Sequence, residues 1–436
     1  MSVAGFAGAL DWRALPSSAG PGAREPMLRT QYLSTGCDRL AESLADGRPT
    51  LIIQDLDGVC MGLVGDPLRR QVDAAYLAAC RRLRGHFFVL TNGEHIGRRG
   101  MNGIVERCLG GARQAAGRYL PGLAAGGVQW QDVDGAVSHP GVSDAEMRFL
   151  AGVPERARRF LTEFLGRPGH GLAPSQVATL VDAAVLDNRV SPTVNINVVF
   201  EALAGREGRY GELQRQLQAF MAALLDDAAG QGLKDAFFVH LAPNLGRDGD
   251  GERLAPSRDG MAGTTDFQFM LSGAIKEAGV LALLNRHFAR CIGSPPLGAD
   301  FSVRTAPRSM AGLLDLAESA FARRWMPRIV GVGDTVTSSW DADGRRTRGG
   351  SDRGFLHLVQ ELGRRFGTDN AVLFVDSSGG EVRRPGLKRD PHTGGIVAEG
   401  ISDAEDPLRL NFVLPGGHRQ YVDFLVGLAG RIGRVP

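Results

Sequence analysis

The stretch Leu51–Cys60, LIIQDLDGVC, constrains this chain more than any other. Leu51 to Gln54 read as a short buried strand. That strand hands over to two carboxylates, Asp55 and Asp57, and Gly58 then lets the backbone turn sharply. Carboxylates at the carboxyl end of a parallel strand lie where open α/β sheets bind ligands. Like charges this close stay ionised together only with something positive between them. Oxygen donors of this kind suit Mg2+, which is held by one or two carboxylates plus substrate phosphate. Standing alone, DLDG is also an ordinary turn, because Asp and Gly are favoured turn residues.

The surrounding pattern supports an α/β fold of the doubly wound type. Pro67–Leu83 has helical spacing, Phe87–Leu90 is a second strand, and Glu94–Arg118 reads as largely helical, which makes a strand–helix–strand unit. A helix over Met27–Leu44 precedes it, after a loose tail at 1–26 rich in Ala, Gly, Pro and Ser. The texture changes near Gly126. Val128–Val133 is a candidate strand, and Ser143–Leu165 a helix with Ser143 and Glu146 in a capping-box arrangement. Pro174–Leu186 and Glu207–Asp227 read as helices, and Thr193–Phe200 and Ala236–Leu241 as strands. Asn244–Gly263 reads as a Gly-, Arg- and Asp-rich loop. From Ser309 the first texture resumes, with helices over Ala311–Arg323, Asp352–Phe366 and His418–Ile432 and strands over Ile329–Val332, Ala371–Val375 and Arg409–Leu414. The expected organisation is a core at 27–125 and 309–436 with an inserted mixed α/β unit at 126–308.

Length and composition set bounds. A chain of 436 residues exceeds one ordinary core. No run approaches the ~18 apolar residues of a membrane helix. The amino terminus lacks a secretory pattern, so a cytoplasmic location is expected. A net charge of +2 gives no case for a nucleic-acid partner. The five cysteines are scattered and lack a CxxC pair, which argues against a disulfide scaffold or structural zinc. Lysine is scarce: only Lys234, Lys276 and Lys388 occur, beside abundant Arg.

Three ordered motifs, DxDG after an apolar strand, FFVLTNGEH and GVGDTVTS, resemble those of the haloacid-dehalogenase-like phosphohydrolases. The longer string QDLDGVCMGLV, with the other two, resembles the glucosylglycerol-phosphate phosphatases within them. The resemblance implies a core of that superfamily with the inserted unit as a cap that selects substrate. It implies Asp55 as nucleophile, Asp57 as general acid and base, and Thr91 as a phosphate ligand. Gly58 and Asn92 would contact phosphate, and Asp55, Asp57 and Asp334 would hold Mg2+. A lysine preceding the Asp334 strand should stabilise the phosphoryl group. That leaves Lys234 and Lys276, with Lys276, at the start of an amphipathic helix, preferred. The substrate implied is 2-O-(α-D-glucosyl)-sn-glycerol 3-phosphate, hydrolysed in the last step of compatible-solute synthesis under salt stress, after a glucosylglycerol-phosphate synthase that is a candidate partner. The pattern breaks at one point. A second acid is expected four or five residues after Asp334, where Ser338 and Ser339 stand, and Asp341, Asp343 or Asp376 are the substitutes considered.

The chemistry of these residues agrees with the implied roles. An attacking carboxylate splits a hard hydrolysis into two steps through an acyl phosphate. A second carboxyl can protonate the leaving alkoxide and then activate water. Glu94 and His95 share the loop after Thr91 and are further substrate-contact candidates. Trp130 with Asp132 is a sugar-stacking candidate, although a core role fits Trp better. No P-loop, GxSxG or HExxH occurs. Asp248, Asp250 and Glu252 hint at a calcium loop, but Arg253 stands where Gly is needed. The competing readings are a trehalose- or sucrose-phosphate phosphatase, a phosphomutase, and a non-catalytic phospho-switch.

Overall fold

The computed structural model describes residues 28–432 except 249–250, 259 and 341–343. The tail at 1–26 and the candidates Asp250, Asp341 and Asp343 lie outside the described residues. Strands β1 (Thr50–Gln54), β2 (Phe87–Leu90), β3 (Gly122–Ala124), β4 (Gln129–Gln131) and β5 (Val137–Ser138) come first. Next are β6 (Val185–Leu186), β7 (Thr193–Asn195), β8 (Phe237–Ala242), β9 (Asn244–Asp248), β10 (Gly251–Leu254) and β11 (Asp266–Leu271). The last are β12 (Arg328–Gly333), β13 (Thr337–Trp340), β14 (Arg346–Gly349), β15 (Ala371–Val375), β16 (Lys388–Arg389), β17 (Ile396–Val397) and β18 (Phe412–Leu414).

One sheet of eight strands runs β18-β15-β12-β1-β2-β3-β4-β5. From β18 to β3 every pairing is parallel, and β4 and β5 add antiparallel strands at one edge. The central strands β1, β12 and β15 are buried along their whole length, as expected for a sheet covered on both faces. Ile52 packs on one face with Leu40, Tyr76, Ile104 and Tyr421. Leu51 and Ile53 pack on the other with Leu281, Leu313 and Phe355. The chain leaves β1 through β2 and β3 in one direction and returns on the far side of β1 as β12. The switch point between β1 and β12 is where such sheets bind ligands, and it receives Asp55 and Asp334. This is the expected doubly wound core.

A second sheet, β6-β7-β11-β8, is antiparallel. Helices Asp144–Leu165, Pro174–Ala184 and Glu207–Gly230 belong to the same segment. The first of these starts with the expected capping box, in which the Ser143 N–H and hydroxyl both donate to Glu146 Oε2 at 2.8 Å. We call this unit the cap.

Several elements differ from expectation. β4 lies on the expected Val128–Val133 strand but joins the core sheet, not the insert. Helix Lys276–Ile292 also packs on the core, against Arg353–Phe366. The helix expected over Met27–Leu44 is confined to Cys37–Leu44. The Glu94–Arg118 segment is two short helices, Met101–Leu109 and Ala112–Ala115, separated by Gly110 and Gly111. The strand read over Thr193–Phe200 stops at Asn195, whose side chain accepts from Asn197 N at 3.1 Å as helix Asn197–Ala202 begins. Asn244–Gly263 is not all loop, because β9 and β10 form a hairpin there. The strand β11 was not foreseen. Among the described residues, no helix is long and apolar enough to cross a membrane, and the five cysteines are free.

Candidate active site

Asp55 stands at the end of β1, its backbone N–H still bonded to Val332 O at 2.9 Å. Its Oδ1 accepts from Leu56 N at 2.8 Å, and its Oδ2 from Lys276 Nζ at 2.7 Å. Lys276 is the first residue of its helix and is only 3% exposed. It donates a second bond of 2.7 Å to Asp352 Oδ1. Lys234, the other candidate, is exposed on the turn before β8. Gly58 adopts φ +77°, and a Cβ there would lie 2.1 Å from Asp334 Oδ2. Only glycine lets the turn approach that carboxylate so closely.

Asp352 is the residue the sequence reading missed. It follows Asp334 by 18 positions, with the β13–β14 hairpin between them. Its Oδ2 accepts the N–H groups of Asp334 at 2.9 Å and Thr335 at 3.0 Å, which folds the chain back on itself. Ser338 and Ser339 turn elsewhere, to Asp403 at 2.5 Å and Thr347 at 3.0 Å. Asp376 shapes its own loop, accepting from Ser378 N and Leu387 N. The available signal was an Asp opening an amphipathic helix directly after Gly349–Gly350–Ser351.

Ligand atoms of Asp55, Asp334 and Asp352 lie within 4.8 Å of one another. Asp334 Oδ1 accepts from Thr335 Oγ1 at 2.8 Å, whereas its buried Oδ2 has no partner. Burial raises the Asp55 carboxyl to about 8, with Lys276 opposing and the neighbouring carboxylates reinforcing the rise. Burial and the Asp352 charge raise Asp334 to about 6. Burial pushes Asp352 up as well, but the Lys276 charge and hydrogen bond outweigh it and hold Asp352 below its ordinary value. Three carboxylates against one ammonium leave a negative surplus. The all-oxygen donor set, the surplus and the unpartnered Oδ2 together fit a hard divalent cation.

The Asp57 carboxylate is not in this cluster, contrary to its expected place among the metal ligands. It pairs with Arg70 Nη1 at 2.9 Å and keeps about a third of its side chain exposed at the cleft. Thr91 directly follows β2 and lines the cleft, its Oγ1 accepting from Gly93 N at 3.2 Å. Asn92 also lines the cleft, and its Nδ2 lies 3.1 Å from His240 Nε2 in the cap.

Glu94 lines the cleft and also braces the fold, whereas His95 is not among the cleft residues. Glu94 accepts from Arg189 N, Val190 N, Ser191 N, Ser191 Oγ and Gln129 Nε2 at 2.7–3.1 Å, which pins the root of the cap. His95 is fully buried beside Gly122 O. Trp130 lies under Arg286, 3.8 Å from its ring centroid, and is not among the cleft residues. Glu252 is engaged by His240, Leu241 N and Asn244, so it is not a free calcium ligand. Arg384 was not foreseen. It lines the cleft, donates to Thr335 Oγ1 at 3.3 Å, and has a buried Nε without a partner. From the cap, Thr193, Asn195, Asp266 and Gln268 face the same cleft.

The family model for glucosylglycerol-phosphate phosphatase matches residues 49–429. The glucosylglycerol-phosphate phosphatase of Synechocystis sp. (strain ATCC 27184 / PCC 6803 / Kazusa) is 49% identical over 405 residues, covering 91% of this chain and 96% of that protein. Two solved structures are distant matches. One is the C. albicans trehalose-6-phosphate phosphatase C-terminal domain, with 12% identity and a TM-score of 0.45 over 92% of this chain and 98% of that one. The other is Aspergillus fumigatus trehalose-6-phosphate phosphatase, with 9% identity and a TM-score of 0.36 over 92% and 99%. With a family match that spans most of the sequence and a relative of nearly half identity, the chain belongs to the glucosylglycerol-phosphate phosphatase family of phosphoric monoester hydrolases.

Proposed function

We propose that the chain hydrolyses glucosylglycerol 3-phosphate to glucosylglycerol and phosphate through an aspartyl phosphate on Asp55. The observation that carries this reading is the buried Asp55–Lys276–Asp352 chain at the carboxyl end of β1, in a member of this family. An Asp55 carboxylate oxygen attacks phosphorus, and the bond from phosphorus to the ester oxygen breaks. Asp57, held by Arg70, gives its proton to the departing alkoxide. The same carboxylate then takes a proton from water, which attacks phosphorus and releases phosphate and free Asp55. The Lys276 ammonium and the Thr91 hydroxyl would bond the phosphoryl oxygens, helped by backbone N–H groups of the turn at Gly58. Asp55, Asp334 and Asp352 would hold a divalent cation, for which Mg2+ is our choice, and it supplies positive charge against the phosphoryl oxygens.

The cap, between β5 and helix Lys276–Ile292, is assigned to substrate selection. With this activity we also propose a cytoplasmic role in compatible-solute synthesis for salt tolerance, downstream of a glucosylglycerol-phosphate synthase. The test is phosphate release from glucosylglycerol 3-phosphate by the full chain with and without Mg2+, beside trehalose and sucrose phosphates. Rapid Mg2+-dependent release, selective for the glucosylglycerol ester, is expected. Faster turnover of another sugar phosphate would overturn the substrate, and no release from any ester would overturn the chemistry.

A further inference from the structure

Register pairs Asp266 with Asn195 and Ala242, and Gln268 with Thr193 and His240. Directly paired residues share a sheet face, so Thr193, Asn195, Asp266 and Gln268 stand together with His240. The alternate positions, Val194, Phe267, Phe269 and Leu241, are apolar and packed in the core. On that side Phe149, Phe237 and Phe269 cluster with ring centroids 5.0–5.9 Å apart. Alternation on a strand covered by helices on one side usually leaves the polar side to water. Here the polar side looks into the cleft over Asp55 and is nearly buried.

Two features of this face call for a ligand. Gln268 is only 9% exposed, lines the cleft, and its buried Oε1 has no hydrogen-bond donor. A buried acceptor without a donor is costly, and a ligand O–H would satisfy it. Asp266 Oδ1 accepts from Asn195 Nδ2 at 2.9 Å and Oδ2 from Thr265 Oγ1 at 3.0 Å. Each carboxylate oxygen retains room for another donor. Burial raises the Asp266 carboxyl, and the Asp57 charge adds a smaller push in the same direction. The hydrogen bonds from Asn195 and Thr265 and the Arg384 charge oppose that rise, and Asp57, Asp266 and Arg384 all line the cleft. No aromatic ring is among the described cleft residues, so a planar base or ring has no stacking platform.

We propose that Asn195, Asp266 and Gln268 on the core-facing side of the cap sheet form a subsite that reads the hydroxyl groups of a neutral polyol leaving group. This deepens the proposed function and rests on it for the position of the phosphate. Carboxamide and carboxylate acceptors beside an amide donor match vicinal hydroxyls. A hydrophobic leaving group would leave Gln268 Oε1 unpaired.

Two measurements separate the subsite from the hydrolysis. In the first, glucosylglycerol itself, which carries the hydroxyls and no phosphate, is titrated calorimetrically into the full chain. Wild type and Asp55→Asn should bind it, while Gln268→Leu and Asp266→Asn should each bind about tenfold or more weakly. In the second, the ratio of kcat/KM for glucosylglycerol 3-phosphate to that for phenyl phosphate should fall by a similar factor in these variants, mainly through KM. If one variant fails to fold, the other carries the test. Undetectable polyol binding by wild type, unchanged binding by both folded variants, or equal losses on the two esters would overturn the subsite. Polyol binding by wild type that weakens in the variants, without phosphate release, would overturn the proposed hydrolysis and uphold the subsite.

Discussion

On the core side of the cleft, Asp55, Asp334, Asp352 and Lys276 are buried and ionisable. On the cap side, Thr193, Asn195 and Gln268 are buried and neutral, with Asp266 as an acid among them. The core groups sit on strand ends and on the first turn of a helix, where the sheet holds them rigidly. These groups are already desolvated, so little reorganisation would remain for the proposed reaction. The cap groups are amides and a hydroxyl, which exchange water for ligand hydroxyls at small net cost and can be re-matched to another polyol without disturbing the charges. A phosphomonoester demands the first kind of surface at its phosphorus and the second at its leaving group.

The comparison can be broken from the core side first. Asp55→Asn removes the carboxyl proposed to attack phosphorus and should lower kcat by about 10⁴-fold or more, read by phosphate release. Asp352→Asn strips a partner from buried Lys276 and should cost about 3–5 kcal/mol of stability, seen in denaturant melts. Divalent-cation affinity, read by calorimetry, should fall with it. Gly58→Ala places a methyl carbon where Asp334 Oδ2 lies and strains a positive φ. About 1–3 kcal/mol of destabilisation is expected, together with loss of turnover. Asn195→Asp sharpens the comparison from the cap side by making the neutral face anionic beside Asp266. KM should rise about tenfold, with a smaller change in kcat.

The smallest effect concerns the β13–β14 hairpin. Hydrogen bonds from Arg348 hold the Asp403 carboxyl below its usual 3.8, burial opposes them, and Ser338 adds to the lowering. A carboxyl depressed in the folded state lends stability above its unfolded value, and that stability is lost as pH falls through 3.8 and below. Amide exchange in Thr337–Gly349 should therefore accelerate below about pH 4, by an amount equivalent to about 1 kcal/mol or less. Asp403→Asn should show the fast exchange at neutral pH.

Asp55, Thr91 and Asp334 were legible because each follows a short apolar strand, a pattern that places side chains at the sheet edge in any doubly wound fold. Lys276 was legible because lysines are scarce and only two precede β12. Asp352 was hidden because the hairpin intervenes, and the spacing of acids along the chain carries no information about a loop that returns. The cap face was hidden for another reason. Thr193, Asn195, Asp266 and Gln268 alternate with apolar residues just as a solvent-facing strand would, and sequence does not say what lies opposite. Gly, Asp and Arg at Asn244–Gly263 suggested loop, yet the backbone pairs of β9 and β10 need no apolar side chains.

The hairpin between Asp334 and Asp352 also touches the cap: a Cβ on Gly349 would lie 2.9 Å from Asn244 Oδ1 and 3.0 Å from Gly246 N in the β9 strand. The segment that joins two site acids is therefore also a resting surface for the unit that covers the leaving group. Thermodynamic reciprocity then applies. If polyol binding seats β9 more firmly on β14 and so favours the arrangement that gathers the acids, it raises cation affinity by some factor, and the cation must raise polyol affinity by that same factor.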